Sequence, residues 1–270
     1  MNNPSICFIG AGNMATSLIG GLIANGTAAD RIIASDIEPA RLERLRADFA
    51  IRTDGDNQRA AAQADIVILA VKPQILQDVC RGLSGITNQP LFLSIAAGIR
   101  ETDINRWLGG QRAVVRCMPN TPALVGLGAS ALYANAAVST LQKQQAESIL
   151  AGVGIALWVE GENELDAVTA ISGSGPAYFF LFIEALQSAA IELGLDAGTA
   201  ARLARQTALG AATMAVDKDV VELRQQVTSP GGTTEQAIQS FNDNCLGHLV
   251  LDAARAGERR SRELSDQLAQ

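Results

Sequence analysis

The chain is poor in histidine, cysteine and aromatic residues, and each shortage narrows what it can do. One histidine, His248, stands among 270 residues, which removes most histidine-based chemistry, and no metal centre is expected. The four cysteines (Cys7, Cys80, Cys117, Cys245) are scattered, with no Cys-x-x-Cys pair. That spacing disfavours a disulfide framework or a zinc knuckle and fits a reducing compartment, so the expected location is cytoplasmic. Aromatic residues make up only 4%. The apolar mass is therefore Ala, Leu, Val and Ile, which suits packed helices and buried parallel strands better than a β-sandwich. The net charge of −7 is opposite in sign to the electrostatic footprint of a nucleic-acid binder, and no nucleic-acid partner is expected. The first ten residues carry no secretory-signal pattern. The longest uncharged stretch, 117–142, is interrupted by Pro119, Pro122 and several glycines, so no membrane partner is expected either.

What is present is a 48% apolar chain with two rhythms, long enough for about two domains at roughly 150 residues each. From residue 5 to about 160, near-continuous apolar runs alternate with amphipathic stretches. The runs are Ser5–Gly10, Arg31–Asp36, Asp65–Val71, Leu91–Ala96, Ala113–Cys117, Ala129–Tyr133 and Ala156–Val159; the stretches include Met14–Asn25, Pro39–Phe49 and Gln74–Leu83. This alternation predicts an α/β domain with a doubly wound parallel sheet over 1–160. After about 162 the strand signals stop, and 161–270 reads as all helix: Pro176–Leu193, Ala197–Ala215, Val220–Val227, Thr233–Asn244 and Leu246–Leu268. The run from Tyr178 to Ile183 is apolar on nearly every side. A helix of that kind has to be buried all round, and a subunit interface is the natural place.

Directly after the first strand comes Gly10-Ala11-Gly12-Asn13-Met14-Ala15, a Gly-x-Gly-x-x-Ala dinucleotide fingerprint in its required strand–turn–helix context. Gly10 permits the tight turn, Gly12 lets a pyrophosphate approach, and Ala15 allows close helix–strand packing. The second strand ends at Ser35-Asp36, 24 residues beyond Gly12. An acid at that position takes the adenosine ribose hydroxyls and favours NAD. Ser35 and Arg41, however, offer partners for a 2′-phosphate, so both NADP(H) and NAD(H) remain open. Three later strand ends, at Val71-Lys72-Pro73, Ala96-Ala97-Gly98 and Met118-Pro119-Asn120-Thr121, place small or polar residues where the ligand crevice of such a sheet lies.

In the helical half, Ser172-Gly173-Ser174-Gly175-Pro176-Ala177-Tyr178 and Val227-Thr228-Ser229-Pro230-Gly231-Gly232-Thr233-Thr234 read as loops. Both serve as helix starts, the first with Pro near N1 and the second with Thr caps. The second also suits a carboxylate: two glycines remove side-chain bulk, and a helix start offers free N–H groups.

These motifs in this order (GAGNMA, VKP, AAG, MPNT, DAVTAISGSGPAY, VTSPGGTT) resemble the Δ1-pyrroline-5-carboxylate reductase family, with similarity from residue 5 to about 266. The resemblance implies NAD(P)H-dependent reduction of a cyclic imine to L-proline, the last step of proline biosynthesis. It further implies a Rossmann domain followed by a helical domain for dimerisation and substrate binding, and a homodimer or a larger assembly of dimers. By position, Gly10 to Ala15 hold the pyrophosphate and Ser35 or Asp36 lies near the ribose. Asn57, Lys72, Pro73, Ala96, Ala97 and Asn120 are the remaining cofactor contacts. Ser229, Gly231, Gly232 and Thr233 fall in the substrate-carboxylate loop, and Thr234 corresponds to the catalytic hydroxyl near the ring nitrogen. Relatives can carry a Glu shortly before this loop; here stand Asp217 and Asp219, and neither is assigned a catalytic role. Two rival readings are a β-hydroxyacid dehydrogenase and a non-enzymatic NAD(P)-binding regulator. The first needs a Lys on the helix after the SGSGP segment, and Ile183 to Leu195 contains none. The second has no use for the glycine-rich anion loop.

Overall fold

The computed structural model describes residues 4–268. They fall into two compact units, one built from residues up to Ser174 together with those from Ala256 onward, the other from Gly175–Arg255.

The first unit holds an eight-stranded sheet: β1 Ile6–Ile9, β2 Ile32–Ser35, β3 Arg52–Asp54, β4 Ile66–Leu69, β5 Leu91–Ser94, β6 Val114–Met118, β7 Gly128–Ala134 and β8 Gly154–Trp158. Their spatial order is β3-β2-β1-β4-β5-β6-β7-β8. β1, β2, β4 and β5 are buried at every position, which is why they read as unbroken apolar runs rather than alternating ones. Side chains alternate between two cores, one on each face. Phe8 packs into the cluster with Leu18, Ile19 and Leu45, and Cys7 and Ile9 into that with Leu76, Phe92 and Trp107. Ile9 stands level with Ser35 and Leu69, so the loops after β1, β2 and β4 open along one rim of the sheet.

Two sheet expectations need correction. The sheet is not wholly parallel: β7 runs antiparallel to β6, with Cys117 opposite Leu132. The short connection between them carries only the 3₁₀ turn Thr121–Val125, and a parallel return would require a full crossover. β8 is parallel to β7 again, after the helix Thr140–Ala151. The edge strand β3 carries no strand signal in the sequence because it has three residues, all polar and none buried.

The helices of this unit are α1 Asn13–Ala24, α2 Pro39–Phe49, α3 Asn57–Ala61, α4 Pro73–Leu83, α5 Glu101–Trp107, α6 Thr140–Ala151 and α7 Glu164–Val168. α7 continues into a π-helical turn, Thr169–Gly173, so the SGSGP segment is helical rather than a loop. As a compact unit the sheet-bearing part extends to Ser174, since α7 packs on β6 and β7. The end of the chain returns to the same unit: the Ser261 hydroxyl donates to Asp166 at 2.7 Å and Arg100 pairs with Asp266.

The second unit is helical: α8 Gly175–Glu192, α9 Ala197–Met214, α10 Val220–Gln226, α11 Thr233–Asp243 and the first half of α12 Leu246–Leu268. Asp196 and Asp219 cap α9 and α10, each accepting two backbone N–H bonds. α8 packs along α9, and the Phe182 and Phe241 rings stand 6.1 Å apart. The unit has almost no interior: among described buried hydrophobic residues only Ala200 and Ala204 belong to it. Phe179 is 71% exposed and Phe180 and Leu181 67%. The all-round apolar helix is thus not buried within one chain.

Candidate dinucleotide and anion sites

The turn between β1 and α1 is built by glycine. Gly10 has φ +102°, and a Cβ there would stand 2.6 Å from the Ala70 carbonyl oxygen at the end of β4. Gly12 caps α1 with no side-chain hydrogen bond and no acid in the first turn, and a Cβ there would meet nothing within 4 Å. The first position therefore answers to the protein's own packing. The second leaves a free helix N-terminus facing open space, as an approaching pyrophosphate requires. Ala11 and Ala15 are buried, Met14 packs partly against the core, and Asn13 is exposed.

Beside this turn lies a cleft of about 280 Å³. Among its walls are Gly10, Gly12, Ser35, Asp36, Asn57 and Lys72, six of the residues singled out from the sequence. Asp36 accepts the Ala11 N–H at 2.8 Å and the Glu38 N–H at 2.9 Å, so its carboxylate is fixed. The Ser35 hydroxyl donates to Asn57 Oδ1 at 2.7 Å. Lys72 caps α4, with Pro73 at its first position. Ala96 is buried and Ala97 half-buried in the turn after β5, where the Ala96 N–H reaches the Ser94 hydroxyl at 3.4 Å. Asn120 is different: its amide donates to Ser172 O at 3.0 Å and its carbonyl accepts the Ala129 N–H at 2.9 Å. Both ends of that side chain are used inside the protein.

In the second unit, Ser229 to Gly232 form a tight turn closed by the Gly232 N–H donating to Ser229 O at 3.0 Å. Pro230 holds its second position and Gly231, at φ +72°, its third, the pattern of a type II turn. α11 starts immediately after it, with Gly232 as cap and no side-chain cap bond. Thr233 and Thr234 are its first two residues, not caps as expected. Two expected donors are also committed: the Gly232 N–H closes the turn, and the Gly231 N–H donates to Glu235 Oε2 at 2.8 Å. The open N–H groups are those of the first helical turn, from Thr233 onward. Ser229 is exposed and Thr234 half-buried, and among the described residues the Thr234 hydroxyl has no hydrogen-bond partner. Asp219 is occupied as the α10 cap; Asp217 is exposed.

Three charged features escaped the sequence reading. Glu38 holds Arg41 beside Asp36, with Nε 2.6 Å from Glu38 Oε2; the acid three residues before a base at a helix start was the available signal. The buried Arg112 donates to the carbonyls of Ser84, Ile86 and Asn88. Arg116 pairs with Glu162 at 2.8 Å, and Glu162 also accepts the Glu101 N–H. These long-range pairings have no local sequence signature.

A doubly wound sheet with a glycine turn at its ligand rim, joined to a coreless helical unit, defines a dinucleotide-binding oxidoreductase with an association domain. A family profile described as "NADP oxidoreductase coenzyme F420-dependent" matches residues 5–98, and one described as "Pyrroline-5-carboxylate reductase dimerisation" matches 162–264. A pyrroline-5-carboxylate reductase of Pseudomonas aeruginosa is 53% identical, with all of both chains covered. The structure of a pyrroline-5-carboxylate reductase from Coxiella burnetii superposes with a TM-score of 0.95 at 46% identity, covering 98% of this chain and 99% of that one. The Plasmodium falciparum pyrroline carboxylate reductase, solved with NADP bound, gives 0.84 at 29% identity, covering 98% and 99%. The chain belongs to the pyrroline-5-carboxylate reductase family.

Proposed function

We propose that the protein reduces 1-pyrroline-5-carboxylate to L-proline with NADPH or NADH, the last step of proline biosynthesis, in the cytoplasm. The observation that carries this reading within the chain is the pair of uncapped helix N-termini. One, at Gly12, is opened by a glycine whose Cβ position is empty. The other, at Gly232, lies behind a proline–glycine turn. Each offers backbone N–H groups and a partial positive charge to an anion. The Gly10–Ala15 turn takes the pyrophosphate. Asp36, with Ser35 and Asn57 behind it, receives the ribose, while Lys72, Pro73, Ala96 and Ala97 line the path toward the reactive ring.

When bound, the nicotinamide would supply the hydride to the C=N carbon of the protonated imine, whose proton stays on the ring nitrogen of the product. The chain's own work is positioning. The first-turn N–H groups of Thr233 and Thr234 hold the substrate carboxylate, and the Thr234 hydroxyl, free of internal partners, hydrogen-bonds the ring nitrogen as it gains amine character. Alignment at near-attack distance can supply several kcal/mol of barrier lowering. The working unit is a homodimer, supported by the bare apolar faces of α8, and dimers can associate further. The test is oxidation of NADPH and NADH in the presence of 1-pyrroline-5-carboxylate, with proline identified as product. Substrate-independent oxidation, or none with either cofactor, would overturn the assignment.

A further inference from the structure

The adenosine-ribose end of the cleft contains a charge arrangement that bears on which dinucleotide fits. Asp36 cannot swing aside: its side chain is only 8% exposed, and each of its two oxygens accepts a backbone N–H, from Ala11 and from Glu38. A ribose 2′-hydroxyl can donate to such a carboxylate, whereas a 2′-phosphate meets a fixed negative charge. The cation at this end is Arg41, and it is shared. Its Nη1 lies 3.7 Å from Asp36 Oδ2 and its Nε 2.6 Å from Glu38 Oε2. Lys72 follows β4, which the sheet order places on the far side of β1 from β2. Two carboxylates therefore stand against one guanidinium where a 2′-phosphate would have to bind. The Arg41 and Glu38 side chains are each 52% exposed, so their pairing is a surface pairing that a stronger anion can displace.

We propose that Glu38, which lines the cleft beside Asp36, is a specificity-determining residue: by holding Arg41 it weakens binding of 2′-phosphorylated dinucleotides. Arg41 is the group a 2′-phosphate must recruit, and it can do so only by taking the guanidinium from Glu38. A guanidinium offers a fork of donors suited to a phosphate, so NADPH binds, but at the expense of the Glu38 pair. NADH leaves the pair intact. The arrangement thus makes the chain tolerant of both cofactors, with Glu38 setting the ratio. The inference rests on the dinucleotide reading of the cleft and adds to it a role for Glu38 that acts through Arg41.

The test uses the adenine halves of the cofactors, so that binding is read without turnover. Calorimetric titration of the full-length protein with 2′,5′-ADP and with 5′-ADP gives the two affinities for wild type, Glu38→Gln and Arg41→Ala. Removing the exposed carboxylate that pairs with the phosphate's counter-ion should tighten 2′,5′-ADP about fivefold in Glu38→Gln. The gain should shrink as salt is raised. Arg41→Ala should weaken 2′,5′-ADP by about tenfold. Neither substitution should move the 5′-ADP affinity by more than about twofold, and melting temperatures report that both variants are folded. If both ligands bind wild type but Glu38→Gln leaves their ratio unchanged, the role of Glu38 is refuted and the dinucleotide site stands. If neither ligand binds wild type, the dinucleotide reading of the cleft fails, and the inference with it.

Discussion

Asn120 and Ser172 are joined by a 3.0 Å hydrogen bond from the Asn120 amide to the Ser172 carbonyl. The Ser172 carbonyl is open to it because the residue four ahead, Pro176, has no N–H to donate. In the same π-helical turn the Ser174 N–H bonds back to Thr169 O at 2.8 Å, a span of five residues. Asn120 supplies a donor from the loop after β6. On the same stretch, Gly173 passes so close to Met118 that a Cβ would lie 2.4 Å from the methionine Cε. The GSG sequence thus joins a helix to the sheet through close approach.

Asn120→Ala should therefore act on stability. It strips a donor from Ser172 O and an acceptor from the Ala129 N–H, both next to a side chain only 9% exposed. Leaving two such groups unpaired costs about 2–4 kcal/mol. Urea denaturation of wild type and variant measures it; a difference below about 0.5 kcal/mol would show that water replaces both bonds.

Gly10 and Gly12 should separate folding from binding. Gly10→Ala places a methyl against the Ala70 carbonyl at a backbone angle that alanine avoids, and should cost about 3 kcal/mol or more. Gly12→Val adds bulk where nothing lies within 4 Å, so it should melt near wild type while losing NADPH affinity. Fluorescence titration beside a thermal melt decides. A folded Gly12→Val with unchanged affinity would remove the turn from the cofactor site.

Much of this was legible in the sequence because it is local. β1, β2, β4 and β5 are apolar at every position but Ser35 and Ser94, and Gly-x-Gly-x-x-Ala marks one turn through the conformational freedom of one glycine and the smallness of another. β3 was not legible, since three residues at a sheet edge carry no period. The antiparallel β7 was not legible either: its apolar content matches that of a parallel strand, and its direction follows from a connection length. In the substrate turn the residues were readable, but the spending of the Gly231 and Gly232 N–H groups on Glu235 and Ser229 was not, because hydrogen-bond bookkeeping needs coordinates.

Three thiols should be silent. Burial pushes Cys7, Cys80 and Cys117 up to about 12, with Asp54 adding to the effect at Cys7. At pH 8 roughly one part in ten thousand of each is thiolate, the reactive form. Native protein should yield at most one reactive thiol per chain to a disulfide reagent, that of the exposed Cys245, and denatured protein all four. Rapid reaction of more than one thiol in the native state would contradict the packing of both cores.

The bare face of α8 predicts that folding and association are coupled. A helical unit whose buried hydrophobic residues are Ala200 and Ala204 lacks the core that holds amphipathic helices together. Phe180→Asp puts a charge where a partner's apolar surface is expected. The variant should lose the dimer in light scattering at low micromolar concentration and lose helical circular dichroism with it. A monomer with full helicity would show that the unit stands alone.

Glu235 and Thr234 give the last test, because they separate a substrate site from a helix cap. Glu235 bonds the Gly231 N–H at 2.8 Å and sits in the first turn of α11, where its negative charge opposes an arriving carboxylate. Glu235→Gln keeps an acceptor for Gly231 but removes the charge. Helix stability should fall by only a few tenths of a kcal/mol through the lost dipole interaction, while the KM for 1-pyrroline-5-carboxylate should drop about twofold to fivefold, more at low salt. Thr234→Ala should do something else. Its hydroxyl has no internal partner to lose, and alanine is the better helix former, so the melting temperature should hold or rise. Its effect should appear in kcat, with a smaller change in KM, because the bond to nitrogen strengthens as the amine forms. A structural role predicts the reverse in both variants, a loss of stability with untouched kinetic constants. Initial rates and thermal melts on the same preparations decide: if Thr234→Ala keeps wild-type kcat and Glu235→Gln keeps wild-type KM, the N-terminus of α11 does not hold the substrate.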